Sequence, residues 1–234
     1  MKAVILAGGL GTRLQPYTFF IPKPMLPLGN KPLLEYIIEW LRNAGGIKEV
    51  VLCVSYLHRT IEDYFEDGAR FGVSIEYARA ERPLATAGQL KTAEKYLDGP
   101  FVCVYGDSVY EFNLRKMLKM HKESGAFVSM ALMPYTTKLK YGFIDTDNSD
   151  ITGWREKPEI SGLINIGCYV MEPGLLKMIP MSGAFGMDDA VRKALEEKKK
   201  VKAFKVEATG FIDIGDKKSY LDAYKKYASR LGKI

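Results

Sequence analysis

Short apolar runs alternate with longer amphipathic segments in the first half of the chain. The apolar runs are of strand length and predict β-strands at residues 2–7, 48–54, 73–78, 100–105 and 126–132. The intervening segments have helical periodicity and predict helices at residues 31–44, 58–67, 86–96 and 113–124. Asn30 is predicted to cap the first helix, with Pro32 in its first turn. Strands separated by helices in this way indicate a parallel sheet that is covered on both faces.

The pattern changes near residue 140, where short strands follow one another more closely. Strands are predicted at residues 142–146, 150–156, 164–171, 201–206 and 210–214, and helices at 187–198 and 216–230. No low-complexity linker separates this half from the first. We therefore expect one domain over residues 1–234, in which the second half forms a lobe beside the first.

The bulk properties of the chain narrow the functional classes. The 234 residues are 47% hydrophobic and 26% charged, which is ordinary for a globular enzyme. The net charge of +6 is spread among acidic residues, so no nucleic-acid surface is predicted. The apolar runs are too short to cross a bilayer, and Gly8 and Gly9 interrupt the apolar start before a signal peptide is formed. We expect a cytoplasmic protein without a membrane partner, whose three cysteines are free in the core.

A glycine-rich segment leaves the first predicted strand directly. Glycines at positions 8, 9 and 11 let backbone N–H groups approach a polyphosphate without obstruction by Cβ atoms. Arg13 adds a guanidinium suited to phosphate oxygens, and Lys23 follows between two prolines. The segment lacks the third glycine of a dinucleotide-binding fingerprint and the final Gly-Lys-Ser/Thr of a Walker loop. A phosphate-binding loop is favoured over an ordinary glycine-rich turn.

The same residues resemble a known family. The segment G-G-L-G-T-R-L-Q-P at 8–16, continued by P-K-P-M-L-P-L-G-N-K-P at 22–32, resembles the signature of the sugar-1-phosphate nucleotidyltransferases. Four further motifs extend the resemblance over nearly the whole chain. It implies an α/β fold of the nucleotide-diphospho-sugar transferase type, in which helices flank a three-layer, Rossmann-like mixed sheet with a smaller sugar-binding lobe. Residues 1–125 would bind the nucleotide and 126–234 the sugar phosphate, and we expect no C-terminal β-helix domain.

The resemblance also implies which residues bind the nucleotide. In the family, L-G-T-A-G contacts the base and sugar regions, and here Ala85 replaces its first glycine, which leaves the choice of base open. Thr86 also has the simpler interpretation of a helix cap. Arg13 and Lys23 are the expected catalytic residues. The expected nucleotide-binding residues are Leu6, Ala7, Gly8, Gly9, Gly11, Thr12, Arg13, Ala85, Thr86 and Gly88.

Two aspartates are candidate ligands for a magnesium ion. Asp107 follows the apolar strand at 100–105, at the strand end where open α/β sheets bind ligands. Asp213 lies in a segment that resembles the family's D-x-G motif. Taken alone, either aspartate is compatible with capping a turn. The resemblance implies that both hold Mg²⁺, which typically takes one or two carboxylates together with phosphate and water oxygens.

The implied sugar-phosphate site comes from the second half of the chain. Glu156 would accept hydrogen bonds from sugar hydroxyls, and Lys157 would neutralise the sugar phosphate. Gly142 and Gly167 would let the backbone approach the sugar ring, with Asn165 beside them. In isolation, the Glu-Lys-Pro segment is more typical of a solvated turn, and its order after the other motifs favours the sugar site.

The predicted reaction is an in-line displacement in which a sugar 1-phosphate attacks the α-phosphorus of a nucleoside triphosphate and pyrophosphate leaves. Its partners are these two substrates, and a homo-oligomer is left open. Two alternatives remain at this point. A phosphoalcohol cytidylyltransferase shares the first loop, and a catalytically silent regulatory protein would bind a nucleotide sugar without turnover.

Overall fold

A computed structural model describes residues 1–230 of the chain. Helices and strands alternate in the first half, and strands predominate after α4. The described residues form helices α1 (Leu33–Trp40), α2 (His58–Phe65), α3 (Ala85–Thr92), α4 (Leu114–Ser124), α5 (Met187–Glu196) and α6 (Lys217–Arg230). The strands are β1 (Lys2–Leu6), β2 (Pro27–Leu28), β3 (Lys31–Pro32), β4 (Glu49–Val54), β5 (Ser74–Arg79), β6 (Phe101–Tyr105), β7 (Ser108–Tyr110), β8 (Val128–Lys138), β9 (Phe143–Asp147), β10 (Asp150–Arg155), β11 (Glu159–Met171), β12 (Val201–Lys205) and β13 (Phe211–Asp213).

Seven strands form one mixed sheet in the order β12-β8-β11-β6-β1-β4-β5. Strands β6, β1, β4 and β5 are parallel neighbours, as the alternation of strands and helices predicts. Strand β11 is antiparallel to both β6 and β8, whereas β12 is parallel to β8. The second half of the chain therefore extends the same sheet, and the expected mixed α/β fold is confirmed.

Alternate residues of the central strands face two separate apolar layers. In β1, Ala3 and Ile5 face the layer formed with α1, α2, α4 and α6, while Val4 and Leu6 face the layer formed with α3 and α5. Helix α1 buries Leu34 and Ile38, which are four residues apart, against the first layer. A parallel sheet with apolar side chains on both faces needs helices on both, and this accounts for the three layers.

The first helix begins later than its sequence predicts. Asn30 does not cap α1, because Lys31 and Pro32 pair with β2 in a small hairpin around Gly29. Helix α1 therefore starts at Leu33, whose N–H donates to the carbonyl of Leu26 at 3.0 Å. Pro32 takes the cap position with an extended backbone, where its missing N–H costs no helical hydrogen bond.

A bulge interrupts β11 between Asn165 and Tyr169. Gly167 has a φ of +70°, and a Cβ atom at this position would lie 2.4 Å from Cδ2 of Tyr105. The Gly167 N–H donates to Oδ1 of Asn165 at 3.0 Å, and its carbonyl accepts from the hydroxyl of Tyr110 at 3.1 Å. Position 167 therefore requires a residue without a side chain. The Tyr105 ring packs in the space that a side chain would occupy.

The three cysteines are in the core, as the sequence predicts. Cys53, Cys103 and Cys168 are free and buried. Burial raises the pKa of the Cys53 thiol to about 12, so this thiol is not a nucleophile at neutral pH. Among residues 1–230, every helix falls short of the length and apolar character that a membrane crossing requires.

We predict that Gly167→Ala lowers the free energy of unfolding by about 2 kcal/mol or more, because it combines a left-handed φ with overpacking against Tyr105. Gly162→Ala is the matched control in the same strand, since a Cβ atom there meets nothing within 4 Å. Its effect should stay within about 0.5 kcal/mol. Urea denaturation of both variants measures the difference, and equal effects would contradict this account of the bulge.

Candidate active site

The glycine-rich segment after β1 forms a loop whose shape depends on its glycines. Gly11 has a φ of +63°, and a Cβ atom there would lie 2.9 Å from Cγ2 of Thr18. The hydroxyl of Thr18 donates to the carbonyl of Gly11 at 2.8 Å. Gly9 is exposed and a Cβ atom on it would meet nothing within 4 Å, so its backbone is open to a ligand. This loop supplies the accessible backbone that phosphate binding requires.

Lys23 reaches the loop from a turn between Pro22 and Met25. The residue is 6% exposed, and its Nζ lies 2.6 Å from Oδ2 of Asp107. Asp107 follows the end of β6, where the Gly106 N–H donates to the carbonyl of Leu6 at 2.9 Å. The parallel strands β1 and β6 therefore end side by side, and their loops bring an ammonium group and a carboxylate into contact.

Asp213 joins this group from the far end of the sequence. Strand β13 pairs with β7, and Asp213 is opposite Ser108, the residue after Asp107. Asp213 is exposed at its surface, but partial desolvation raises the pKa of its carboxyl, and the charge of Asp107 raises it further. Two carboxylates that disfavour each other's charge are a suitable donor pair for a divalent cation.

The donor set fits magnesium better than a metal that needs an all-protein cage. Within residues 1–230, no cluster of three or more histidine, cysteine or acidic side chains is arranged to hold a metal ion. Asp107 and Asp213 could supply the one or two carboxylates that Mg²⁺ usually takes, and substrate phosphates and water would supply its other ligands. Asp107 lies in the turn directly before β7, and Asp213 lies in β13, the strand that pairs with β7.

Lys23 and Asp107 lie in the wall of a cleft of about 260 Å³ at the carboxyl ends of β1 and β6. Asp213 is not among the residues that line it, although Gly215, two residues later, is. Arg13 is exposed at the cleft and Lys23 is buried in its wall, so both cations face one space. Most residues of this wall are ones that the sequence predicts for the site. The cleft is lined by Leu6, Ala7, Gly9, Gly11, Thr12, Arg13, Leu14, Lys23, Pro24, Thr86, Gln89, Tyr105, Gly106, Asp107 and Gly215.

Six lining residues are not among the predicted site residues: Leu14, Pro24, Gln89, Tyr105, Gly106 and Gly215. Contacts of Gln89 and Tyr105 account for the place of these two in the wall. Oε1 of Gln89 accepts a hydrogen bond from the N–H of Gly8 at 3.2 Å and so holds the loop from the side of α3. Gln89 is three residues after Thr86, and helical spacing could have placed the two on one face. Tyr105 is the last residue of β6, and its ring lies against Gly167 in the bulge of β11, a contact that the sequence does not show.

The contacts of Thr86 and Gly88 in α3 differ from those that the sequence predicts. Thr86 does not cap α3; its hydroxyl accepts a hydrogen bond from the N–H of Met187 at 2.8 Å, and this links α3 to α5. Gly88 is buried and its N–H donates to the carbonyl of Phe185 at 3.0 Å, away from the cleft lining. Ala85 has a φ of +56°, a conformation that favours the glycine it replaces.

The five predicted sugar-phosphate residues lie outside the 260 Å³ cleft and form two groups. Asn165 and Gly167 belong to the bulge of β11, directly behind Tyr105. Gly142, Glu156 and Lys157 lie together at the base of the β9–β10 hairpin, where Nζ of Lys157 is 3.8 Å from Oε1 of Glu156. Their role as a sugar-phosphate site remains a prediction.

Comparison with known proteins identifies the family of the chain. Residues 2–230 match the family model described as nucleotidyl transferase. The chain is 37% identical to a D-glycero-alpha-D-manno-heptose 1-phosphate guanylyltransferase of Aneurinibacillus thermoaerophilus, over 97% of this chain and 98% of that protein. It is 34% identical to a UTP–glucose-1-phosphate uridylyltransferase of Synechocystis, over 98% of this chain but only 64% of that protein.

A solved structure is similar over the whole chain. The crystal structure of HddC from Yersinia pseudotuberculosis complexed with GMP-PN superposes with a TM-score of 0.75 at 27% identity, covering 98% of this chain and 99% of that one. The chain spans less than two thirds of the Synechocystis relative and nearly all of the Aneurinibacillus and Yersinia proteins. The match of the family model over residues 2–230, together with the full-length relatives, shows that the chain belongs to the nucleotidyl transferase family, among the sugar-1-phosphate nucleotidyltransferases.

Proposed function

We propose that this protein transfers a nucleotidyl group from a nucleoside triphosphate to a sugar 1-phosphate and releases pyrophosphate. The observation that carries the proposal is the contact of Lys23 with Asp107 at 2.6 Å beside the glycine-rich loop. Asp213 on the paired strand β13 adds a second carboxylate to the same place. The relatives named above act on glucose 1-phosphate and a heptose 1-phosphate, which supports a sugar phosphate as the acceptor.

The chain's own groups suit an in-line displacement. An oxygen of the sugar 1-phosphate forms a bond to the α-phosphorus, and the bond from that phosphorus to the pyrophosphate oxygen breaks. The attacking oxygen is already anionic at neutral pH, so the reaction needs no nucleophilic side chain. The exposed loop backbone at Gly9 would bind the triphosphate, while Arg13 and Lys23 would stabilise negative charge as pyrophosphate departs.

We further propose that Asp107 and Asp213 hold a Mg²⁺ ion. Once bound, the ion would neutralise phosphate charge and orient the phosphate oxygens. Without it, the two carboxylates would repel the triphosphate, and Lys23 offsets only one of them directly.

The free cysteines agree with a reducing compartment, and we propose that the protein is cytoplasmic.

The experiment that tests the proposed function measures pyrophosphate release with Mg²⁺. It crosses UTP, dTTP, GTP, CTP and ATP with the 1-phosphates of glucose, mannose, N-acetylglucosamine and a heptose. We expect release that requires one triphosphate and one sugar phosphate together, and that stops in EDTA. Folded protein that binds nucleotide and yet releases no pyrophosphate with any pair would contradict the proposal.

Lys23→Met should lower kcat by about a hundredfold or more, because it removes a buried positive charge beside the reacting phosphates. Lys2→Met is the matched control, since Lys2 also pairs with an aspartate but lies at the opposite end of β1. The control should keep kcat within about twofold of wild type, as expected for an exposed ion pair. Circular dichroism confirms folding, and a similar kcat in both variants would refute the assignment of Lys23.

Asp213→Asn should abolish turnover and yet raise the Tm of the metal-free protein at neutral pH. The pKa of Asp213 is raised in the folded state, so the wild type loses stability as the pH rises through that raised pKa. The gain from the amide should therefore be least near pH ~4, the ordinary range of an aspartate, and increase toward pH ~7. Thermal unfolding in EDTA across this range measures it.

Asp216→Ala provides a control of opposite sign for that experiment. The Asp216 carboxylate accepts a hydrogen bond from the Ser219 N–H at 2.9 Å at the start of α6, which lowers the pKa of Asp216. Its loss should lower the Tm at neutral pH. If Asp213→Asn also lowered the Tm in EDTA, the account of its carboxylate as an electrostatic cost to the metal-free fold would be wrong.

A further inference from the structure

One face of the β9–β10 hairpin places a tryptophan next to the predicted sugar-binding carboxylate. Nε1 of Trp154 donates a hydrogen bond to Oε2 of Glu156 at 3.1 Å. Trp154 is near the end of β10 and Glu156 directly follows the strand, and their hydrogen bond shows that both side chains lie on the same side of the hairpin. Nζ of Lys157 is 3.8 Å from the other carboxylate oxygen, Oε1. Glu156 is therefore held from both sides.

Gly142 leaves the space in which this contact forms. A Cβ atom on Gly142 would lie 3.0 Å from Oε2 of Glu156 and 3.1 Å from Nε1 of Trp154. Both distances are tight, so a side chain at this position would push against both partners of the hydrogen bond. The φ of Gly142 is one that other residues adopt readily, so a glycine is needed here because there is no room for a side chain. The hairpin thus keeps its backbone close to the carboxylate and the indole.

The base of the hairpin is fixed by contacts that do not involve Trp154. The N–H of Leu139 donates to the carbonyl of Pro158 at 3.1 Å and closes the turn after Lys157. On the opposite face, Arg155 donates to Oδ1 of Asp145 at 3.0 Å. Because these contacts hold the backbone, the turn can form without the indole hydrogen bond. The indole therefore acts mainly on the orientation of the Glu156 carboxylate.

The exposure of Trp154 also requires an explanation. Trp154 is 67% exposed, whereas Trp40, the other tryptophan of the chain, is 8% exposed and packs in the core. An indole in water next to a carboxylate combines an apolar face with a fixed hydrogen-bond acceptor. A sugar ring presents apolar C–H groups and hydroxyl donors to such a pair.

We propose that Trp154 is a positioning residue that orients the Glu156 carboxylate toward the hydroxyls of the sugar 1-phosphate and so helps to determine which sugars are accepted. This inference rests on the proposed function. The indole N–H occupies Oε2 and leaves the remaining lone pairs of the carboxylate for the substrate. Without the indole, the exposed glutamate would sample other rotamers and bind the sugar less well.

Steady-state kinetics of Trp154→Phe test the proposal, because phenylalanine keeps an aromatic ring and removes the N–H. The KM for the sugar 1-phosphate should rise about tenfold, as expected for a lost hydrogen bond to a charged group, while kcat and the KM for the triphosphate stay within about twofold. Ile151→Ala is the matched control, since Ile151 is in the same hairpin and is also 67% exposed. Its three constants should not change.

A double-mutant cycle separates orientation from a merely structural role. If Trp154 acts through Glu156, Trp154→Phe should add no further increase in KM in a Glu156→Gln background. Additive effects, an equal loss in Ile151→Ala, or a change in the KM for both substrates would each overturn the proposal.

Intrinsic fluorescence gives a readout that does not depend on turnover. Emission from the exposed Trp154 should shift to shorter wavelength when the nucleotide sugar formed in the pyrophosphate assay, for example UDP-glucose or GDP-mannose, is titrated into wild type. The shift should be absent in Trp154→Phe, which retains the buried Trp40. A wild type without turnover counts against the proposed function, whereas full turnover with an unchanged KM in Trp154→Phe counts against this inference alone.

Discussion

The contact between Lys23 and Asp107 is the interaction on which the candidate site depends. The Lys23 side chain is 8% exposed, and a charge so far from water requires a partner of opposite sign. Asp107 provides that partner from the end of β6, while Lys23 lies in the turn that follows the glycine-rich loop. The ion pair thereby joins the segments after β1 and β6. Loss of Asp107 would leave the buried charge of Lys23 without compensation. It would also remove the contact that joins the two segments of the cleft wall.

The second half of the chain adds further groups to the site formed around this ion pair. Strand β13 pairs with β7, which starts directly after Asp107, and so brings a second carboxylate to the site. Strand β11 runs against the direction of its neighbours, and its bulge at Gly167 fixes Tyr105 at the cleft. The first of these features carries an electrostatic cost, because the charge of Asp107 disfavours ionisation of Asp213. A cost of this kind is common where a fold prepares a site for a ligand.

The regular elements were predictable because they bury apolar side chains at a fixed period. This applies to β1, with its alternate faces, and to α1, whose residues Leu34 and Ile38 recur at helical spacing. The start of α1 was predicted wrongly because Asn30 is a good cap in isolation, and only the pairing of β3 with β2 excludes it. Strand β7 has three residues, too few for any period, and it was missed.

The site was predictable where chemistry is local and not where it depends on tertiary contacts. Loop glycines, Arg13 and Lys23 identify themselves by residue type and order, and the structure places them around one cleft. Helical spacing from Thr86 is compatible with Gln89 facing the site, but the hydrogen bonds of Gln89 with Gly8 and of Thr86 with Met187 are seen only in the structure. A residue's own sequence neighbours hold no information about such partners, which are distant along the chain.

The central claim is that Asp107 and Asp213 hold a divalent cation against a triphosphate on the glycine-rich loop. The most direct test is diffraction from crystals grown with Mn²⁺ and a non-hydrolysable analogue of the triphosphate that supports turnover. The account predicts one anomalous peak between the two carboxylates, with the phosphates against residues 8–13 and within reach of Lys23. A metal bound to other carboxylates, or phosphates bound away from this loop, would contradict it.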